Sequence, residues 1–75
     1  MKVRIEYCSL WNYEPKAVSL AAKLLVEYKQ KIATLELVPL GGGCFEIDVD
    51  GKRIYSKLET ESFPDEDEIV KRLGS

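Results

Sequence analysis

Seventy-five residues, 45% hydrophobic and 32% charged, have the composition of one folded domain and not of a disordered segment, although a chain this short buries only about 60% of its unfolded surface. The formal charge of −2 offers no basic face for nucleic acid or an anionic membrane, and no apolar run nears the roughly 18 residues of a membrane span. The absence of histidine excludes Cys-His and Ser-His catalysis and every histidine-containing zinc site, and the two cysteines, Cys8 and Cys44, are too few for an all-thiolate zinc site or a disulfide-rich secreted scaffold.

Residues 2–7 alternate, with Val3, Ile5 and Tyr7 on one side and Lys2, Arg4 and Glu6 on the other. Period two over six residues predicts a strand with one buried face. Nothing before it has the pattern of a signal peptide, so a reducing cytoplasm is the expected compartment. Residues 8–14 break the alternation and form a loop. Pro15 then suits the first turn of a helix, where a missing N–H costs nothing. Apolar residues at Ala17, Leu20, Ala21, Leu24, Leu25 and Tyr28 make a helical stripe that ends near Lys29 or Gln30.

A second strand is expected over Ile32–Val38, with Ala33, Leu35 and Leu37 on one face. Pro39-Leu40-Gly41-Gly42-Gly43 is a breaker cluster and predicts a loop. Phe45, Ile47 and Val49 alternate with Cys44, Glu46 and Asp48. Asp50-Gly51 then joins this strand to another running from Lys52 to Leu58, the strongest short signal for a two-residue hairpin. In that register Ile47 faces Ile54 and Phe45 faces Ser56. A polar connection over 59–63 leads to Pro64-Asp65-Glu66-Asp67-Glu68, which opens a second helix. Its acids lie in the positive first turn, Lys71 and Arg72 in the negative last turn, and Ile69, Val70 and Leu73 on its apolar side.

The predicted order is β-α-β-β-β-α. Two strands joined by a helix pair in parallel with a right-handed crossover, and the hairpin is antiparallel. Residues 1–75 then form a single α/β domain with a mixed four-stranded sheet, its first strand near the centre and both helices packed on one face.

The loop after a central strand is the usual site position in α/β sheets, and here it begins with Cys8. A thiol upstream of a helix N-terminus has its thiolate favoured by the helix dipole, although a lone cysteine after a strand also serves as a small buried hydrophobe. Cys44, after three glycines, is a small half-buried residue or a resolving thiol for Cys8, the latter requiring Cα atoms within about 7 Å. The triple glycine lacks the Lys-Ser/Thr of a nucleotide P-loop and opens no helix, so positive φ angles and close backbone approach are its expected use. Glu6, Glu36, Glu46 and Asp48 read as solvated carboxylates, and Asp65 to Glu68 as complements to a helix dipole.

The run Tyr7-Cys8-Ser9-Leu10-Trp11-Asn12-Tyr13-Glu14-Pro15-Lys16-Ala17 resembles the active-site segment of the selenoprotein W, or Rdx, family. Members carry Tyr-Cys-x-x-Cys or Tyr-Cys-x-x-selenocysteine followed by Gly-Tyr-x-Pro-Arg/Lys. The likeness continues through Leu37 to Ile47, Val49-Asp50-Gly51, Tyr55-Ser56-Lys57 and Phe63-Pro64-Asp65, in order and at matching spacing. The resemblance implies a thioredoxin-like fold and thiol-based redox chemistry with glutathione as the candidate reductant. No bound cofactor or metal is expected. Protein or small disulfide substrates are the expected partners of a monomer.

Residue by residue, Cys8 matches the first cysteine of the motif, and Trp11 falls where the family has its second cysteine or selenocysteine. Asn12 replaces the usual glycine, and Cys44 stands where members carry an apolar residue. Tryptophan has no role in thiol exchange, so the family's local bridge cannot form in this sequence. Three readings of Trp11 stand. It occupies the place of a natural selenocysteine, whose UGA codon is one base from UGG. It is genuine, in a one-thiol redox variant or a non-enzymatic interaction module using the Cys8–Tyr13 loop. Or it is a plain hydrophobic residue capping the core.

Overall fold

The computed structural model describes residues 1–74. The strands are β1 (Lys2–Cys8), β2 (Thr34–Leu40), β3 (Phe45–Val49) and β4 (Lys52–Ser56), and the helices are α1 (Glu14–Tyr28), α2 (Lys57–Thr60) and α3 (Glu66–Leu73). The sheet order is β2-β1-β3-β4. β1 runs parallel to β2 and antiparallel to β3, and β3 pairs antiparallel with β4. β1 therefore lies inside the sheet, as the crossover and hairpin together require.

The alternation in β1 divides the sheet into two faces. Val3 and Ile5 are buried and meet Phe45 and Ile47 of β3 on the side covered by Ala17, Leu20, Ala21 and Leu24 of α1 and by Ile69 of α3. Both long helices thus pack on one face. They also touch each other: Lys23 Nζ lies 3.0 Å from Asp67 Oδ1, and the Tyr28 hydroxyl donates to the Val70 carbonyl. Each fully buried Leu, Ile or Phe contributes about 1.5–3 kcal/mol, so this single apolar layer is the main source of stability. The helical stripe is narrower than its sequence pattern, because Leu25 is 46% exposed.

Four local features depart from the sequence reading. First, β2 runs on through Pro39, which pairs with Tyr7. β2 is an edge strand, and alternation from the Ser9 N–H to Leu40 carbonyl bond turns the Pro39 nitrogen toward the open edge, where it has no donor to supply. Second, the hairpin holds a bulge. Asp50 and Gly51 have φ of 52° and 82°, as a type I′ turn demands. Val49 pairs with Lys52 and Asp48 with Arg53, but Ile47 then pairs with Tyr55 and Glu46 with Ser56. Ile54 is the extra residue, so neither the Ile47–Ile54 nor the Phe45–Ser56 pairing forms.

Third, β4 stops at Ser56 instead of reaching Leu58, because the Ser56 hydroxyl caps a single helical turn, α2, by accepting from the Glu59 N–H. Fourth, α3 begins one residue after its cap: the Asp65 carboxylate accepts from the N–H groups of Asp67 and Glu68, leaving Pro64 outside the helix.

Candidate functional site

Cys8 is the last residue of β1. Beyond it the chain turns through Ser9-Leu10-Trp11-Asn12 and enters α1, whose first carbonyl acceptor is Tyr13. The loop is tied to β2 by the Ser9 N–H and hydroxyl, both donating to the Leu40 carbonyl at 2.9 and 3.1 Å. It is tied to β1 by the Tyr13 N–H donating to the Cys8 carbonyl at 3.3 Å. Asn12 adopts φ 60°, the left-handed conformation for which glycine is the usual choice and which asparagine tolerates best among other residues.

Cys8 has no solvent exposure. Ser9 to Asn12, which follow it in the loop, are all exposed. Burial pushes the thiol up, but the backbone amides of Gly43, Trp11 and Leu10 are directed at its sulfur and Lys57 lies nearby, and together they hold it below the ordinary cysteine value. The donors that favour the thiolate are therefore a nest of loop amides, a source the sequence did not suggest. The Lys57 ammonium is placed by the Gly43 carbonyl at 3.4 Å and by the faces of Tyr13 and Phe63, 5.1 and 5.4 Å from their ring centres.

Trp11 is 61% exposed and Leu10 80%, so Trp11 is not a core residue. Its indole lies over Gly43: a Cβ at that position would come within 2.5 Å of the ring. Gly42 and Gly43 take φ of 74° and 73°. Two of the three glycines thus do what the sequence suggested, and Gly43 also presents its amide to Cys8. Trp11, Tyr13, Phe63 and Phe45 form a chain of edge-to-face rings with successive centroid distances of 6.2, 4.7 and 5.3 Å. Beyond that chain, Phe45, Phe63, Pro64, Lys16, Leu20 and Glu66 line a small cavity of about 180 Å³ that does not reach Cys8.

Cys44 is buried, not half-buried, and its carbonyl accepts from the Cys8 N–H at 2.9 Å. Burial first, then the charges of Glu46, Cys8 and Glu6, push its thiol above the ordinary value. Glu46 is also buried, at 3% exposure, contrary to its reading as a solvated carboxylate. It accepts from the Ser56 hydroxyl and from the Lys57 N–H at 2.9 Å. Arg53 gathers the neighbouring acids on this sheet face, with contacts to Asp48 at 2.8 Å, Glu6 at 3.1 Å and Glu46 at 3.8 Å. Lys57 and Glu46 carried no functional signal in the sequence beyond the Tyr55-Ser56-Lys57 block and an unremarkable strand acid. Among the described residues, no group of three His, Cys, Asp or Glu side chains converges to hold a metal, and no helix is long and apolar enough to cross a membrane.

A mixed β2-β1-β3-β4 sheet with its helices on one face and a cysteine at the end of the inner first strand defines a thioredoxin-like α/β domain. A sequence model of the Rdx family matches residues 2–75, and the chain belongs to that family. It is 31% identical over 74 residues to selenoprotein W of Danio rerio, covering 97% of this chain and 86% of that protein. It is likewise 31% identical over 75 residues to migration and invasion enhancer 1 of Bos taurus, of whose length it spans 62%. A selenoprotein W-related protein from Vibrio cholerae superposes with a TM-score of 0.90 at 28% identity, over 95% of this chain and 89% of that one. A protein from Bordetella parapertussis superposes at 0.91 and 25% identity, over 96% and 91%.

Proposed function

We propose that this chain is a thiol-based redox protein of the selenoprotein W type, in which the Cys8 thiolate is the reactive group. The observation that carries this reading is the convergence of three backbone amides and the Lys57 ammonium around a sulfur at the end of an inner strand. That environment favours the thiolate, the form that attacks disulfides and peroxides. The loop that supplies two of these amides is itself exposed from Ser9 to Asn12, which sets the sulfur directly beneath the protein surface. The substrates are protein or small disulfides in the cytoplasm, with glutathione as reductant. Position 11 is where the family resemblance places a cysteine or selenocysteine. Trp11 cannot act there, so position 11 supplies Cys8 with no partner unless Trp11 stands in place of a selenocysteine. The codon at position 11 decides: UGA means selenocysteine, UGG a genuine tryptophan.

The test is reaction of the folded, reduced protein with glutathione disulfide. A glutathione adduct that needs Cys8 supports the reading, and complete inertness of the folded protein overturns it. A non-enzymatic interaction module is the second reading. It is favoured by the exposure of Leu10, Trp11 and Leu40, at 80, 61 and 43%, on the same loop edge, since aromatic and apolar anchors of this kind dock partner proteins. Inertness of Cys8 would leave that reading standing.

A further inference from the structure

The register of β1 against β3 pairs Tyr7 with Phe45, and one step further along both strands Cys8 stands opposite Cys44. The bond from the Cys8 N–H to the Cys44 carbonyl, at 2.9 Å, continues the ladder through that step. Opposite residues in an antiparallel pair share a face, and at a hydrogen-bonded position their Cα atoms lie about 5.5 Å apart. That separation falls within the range a disulfide spans, about 4.4–6.8 Å. Both thiols are free and both are buried. Two thiols of this chain are therefore held side by side across the sheet, while position 11, the other neighbour of Cys8 in the loop, carries no sulfur.

We infer that Cys44 is the resolving thiol of Cys8, so that the redox couple of this chain is a cross-strand Cys8–Cys44 disulfide. The inference rests on the reading of Cys8 as a reactive thiol. The Cys8 thiolate attacks one sulfur of a low-molecular-weight disulfide, expelling one thiolate and leaving a mixed disulfide on Cys8. Cys44 gives its proton to solvent and attacks the Cys8 sulfur, expelling the second thiolate. The substrate disulfide has then gained two electrons and, with two protons, becomes two thiols. The protein has lost the same two electrons and holds one new S–S bond. The reverse sequence, with two thiols of the glutathione class as donors, restores the reduced pair.

The two sulfurs have unequal tasks, and their surroundings differ accordingly. Backbone donors hold the Cys8 thiol below the ordinary cysteine value, whereas burial first, and then the neighbouring Glu46, Cys8 and Glu6 charges, push the Cys44 thiol above it.

Reduced wild-type protein, Cys44→Ser, Cys44→Ala and Cys8→Ser are each incubated with glutathione disulfide, quenched by alkylation and weighed intact, with circular dichroism confirming the fold before reaction. The expected wild-type product has lost two hydrogens, carries no glutathione and yields tryptic peptides 5–16 and 32–52 joined by a reducible link. The Cys44 variants are expected to stop at one glutathione on Cys8, and Cys8→Ser to remain unmodified. A wild-type protein that stops at the same adduct as the Cys44 variants overturns the resolving role and leaves the reactive-thiol reading intact. Failure of every folded protein to react overturns both.

Discussion

The indole of Trp11 fills the space that any side chain at position 43 would need. A Cβ on Gly43 would come within 2.5 Å of the ring, and the same glycine turns its amide toward the Cys8 sulfur. The aromatic residue, the glycine and the thiol therefore form one unit, and a change at one of them is felt at the others.

Gly43→Ala meets two separate costs, a φ of 73° that disfavours a side chain and displacement of the Trp11 ring. Backbone strain of this kind costs about 1–3 kcal/mol, and the exposed indole relieves the steric part by swinging into water. The expected result is a loss of stability in urea unfolding, together with a red shift of Trp11 fluorescence. Gly43→Ala measured in a Trp11→Ala background should lose less, because only the backbone cost remains. Equal losses in the two backgrounds would show that the ring and the glycine are not coupled.

Trp11→Cys tests the loop directly. Truncating a buried aromatic costs roughly 3–5 kcal/mol, but Trp11 is 61% exposed, and the expected loss is about 1 kcal/mol or less. The new thiol lies two residues beyond Ser9 in the same turn as Cys8. Oxidation should join Cys8 to the new thiol at position 11 in competition with Cys44, read by peptide mapping. A folded variant in which Cys8 never bridges to position 11 would show that the loop geometry does not serve as a redox ring.

The two thiols should titrate on opposite sides of the ordinary cysteine value, because alkylation follows the thiolate. The rate at Cys8 rises at lower pH than for an unperturbed cysteine, and the rate at Cys44 rises at higher pH. Comparing the midpoints of the two pH–rate curves removes the effect of unequal access. Lys57→Met should move the Cys8 midpoint upward while leaving it below that of Cys44, since the loop amides remain. A Cys44 midpoint at or below that of Cys8 would contradict the assignment of roles.

Ser56 both caps α2 and donates to buried Glu46. Loss of a cap and loss of a hydrogen bond to a buried charge each cost about 1–2 kcal/mol. Ser56→Ala should therefore lower stability by about 2 kcal/mol or more, measured by urea unfolding. Ser56→Thr, which keeps the hydroxyl, should recover most of that loss. A Ser56→Ala chain as stable as the wild type would show that neither bond matters in solution.

Features that depend on near neighbours could be read from the chain itself. The two-residue period of Val3, Ile5 and Tyr7 marks a half-buried strand, and Asp50-Gly51 supplies the positive φ angles of a tight turn. Pro15 marks the start of α1, and the β-α-β-β-β-α order with β1 inside the sheet follows from the lengths of the connections. Cys8 lies at the mouth of the first loop for the same local reasons. What only the tertiary structure decided involves residues that meet across strands or loops. The bulge at Ile54 shifts the β3–β4 register by one residue, and with it sets Ser56 against Glu46, which becomes buried. β3 against β1 brings Cys44 opposite Cys8, and the turn after β4 brings Lys57 to the Gly43 carbonyl. Hydrophobic period and turn chemistry act over a few residues and leave a local signature, whereas register, cross-strand alignment and the amides that surround a sulfur are set by which backbones pack together.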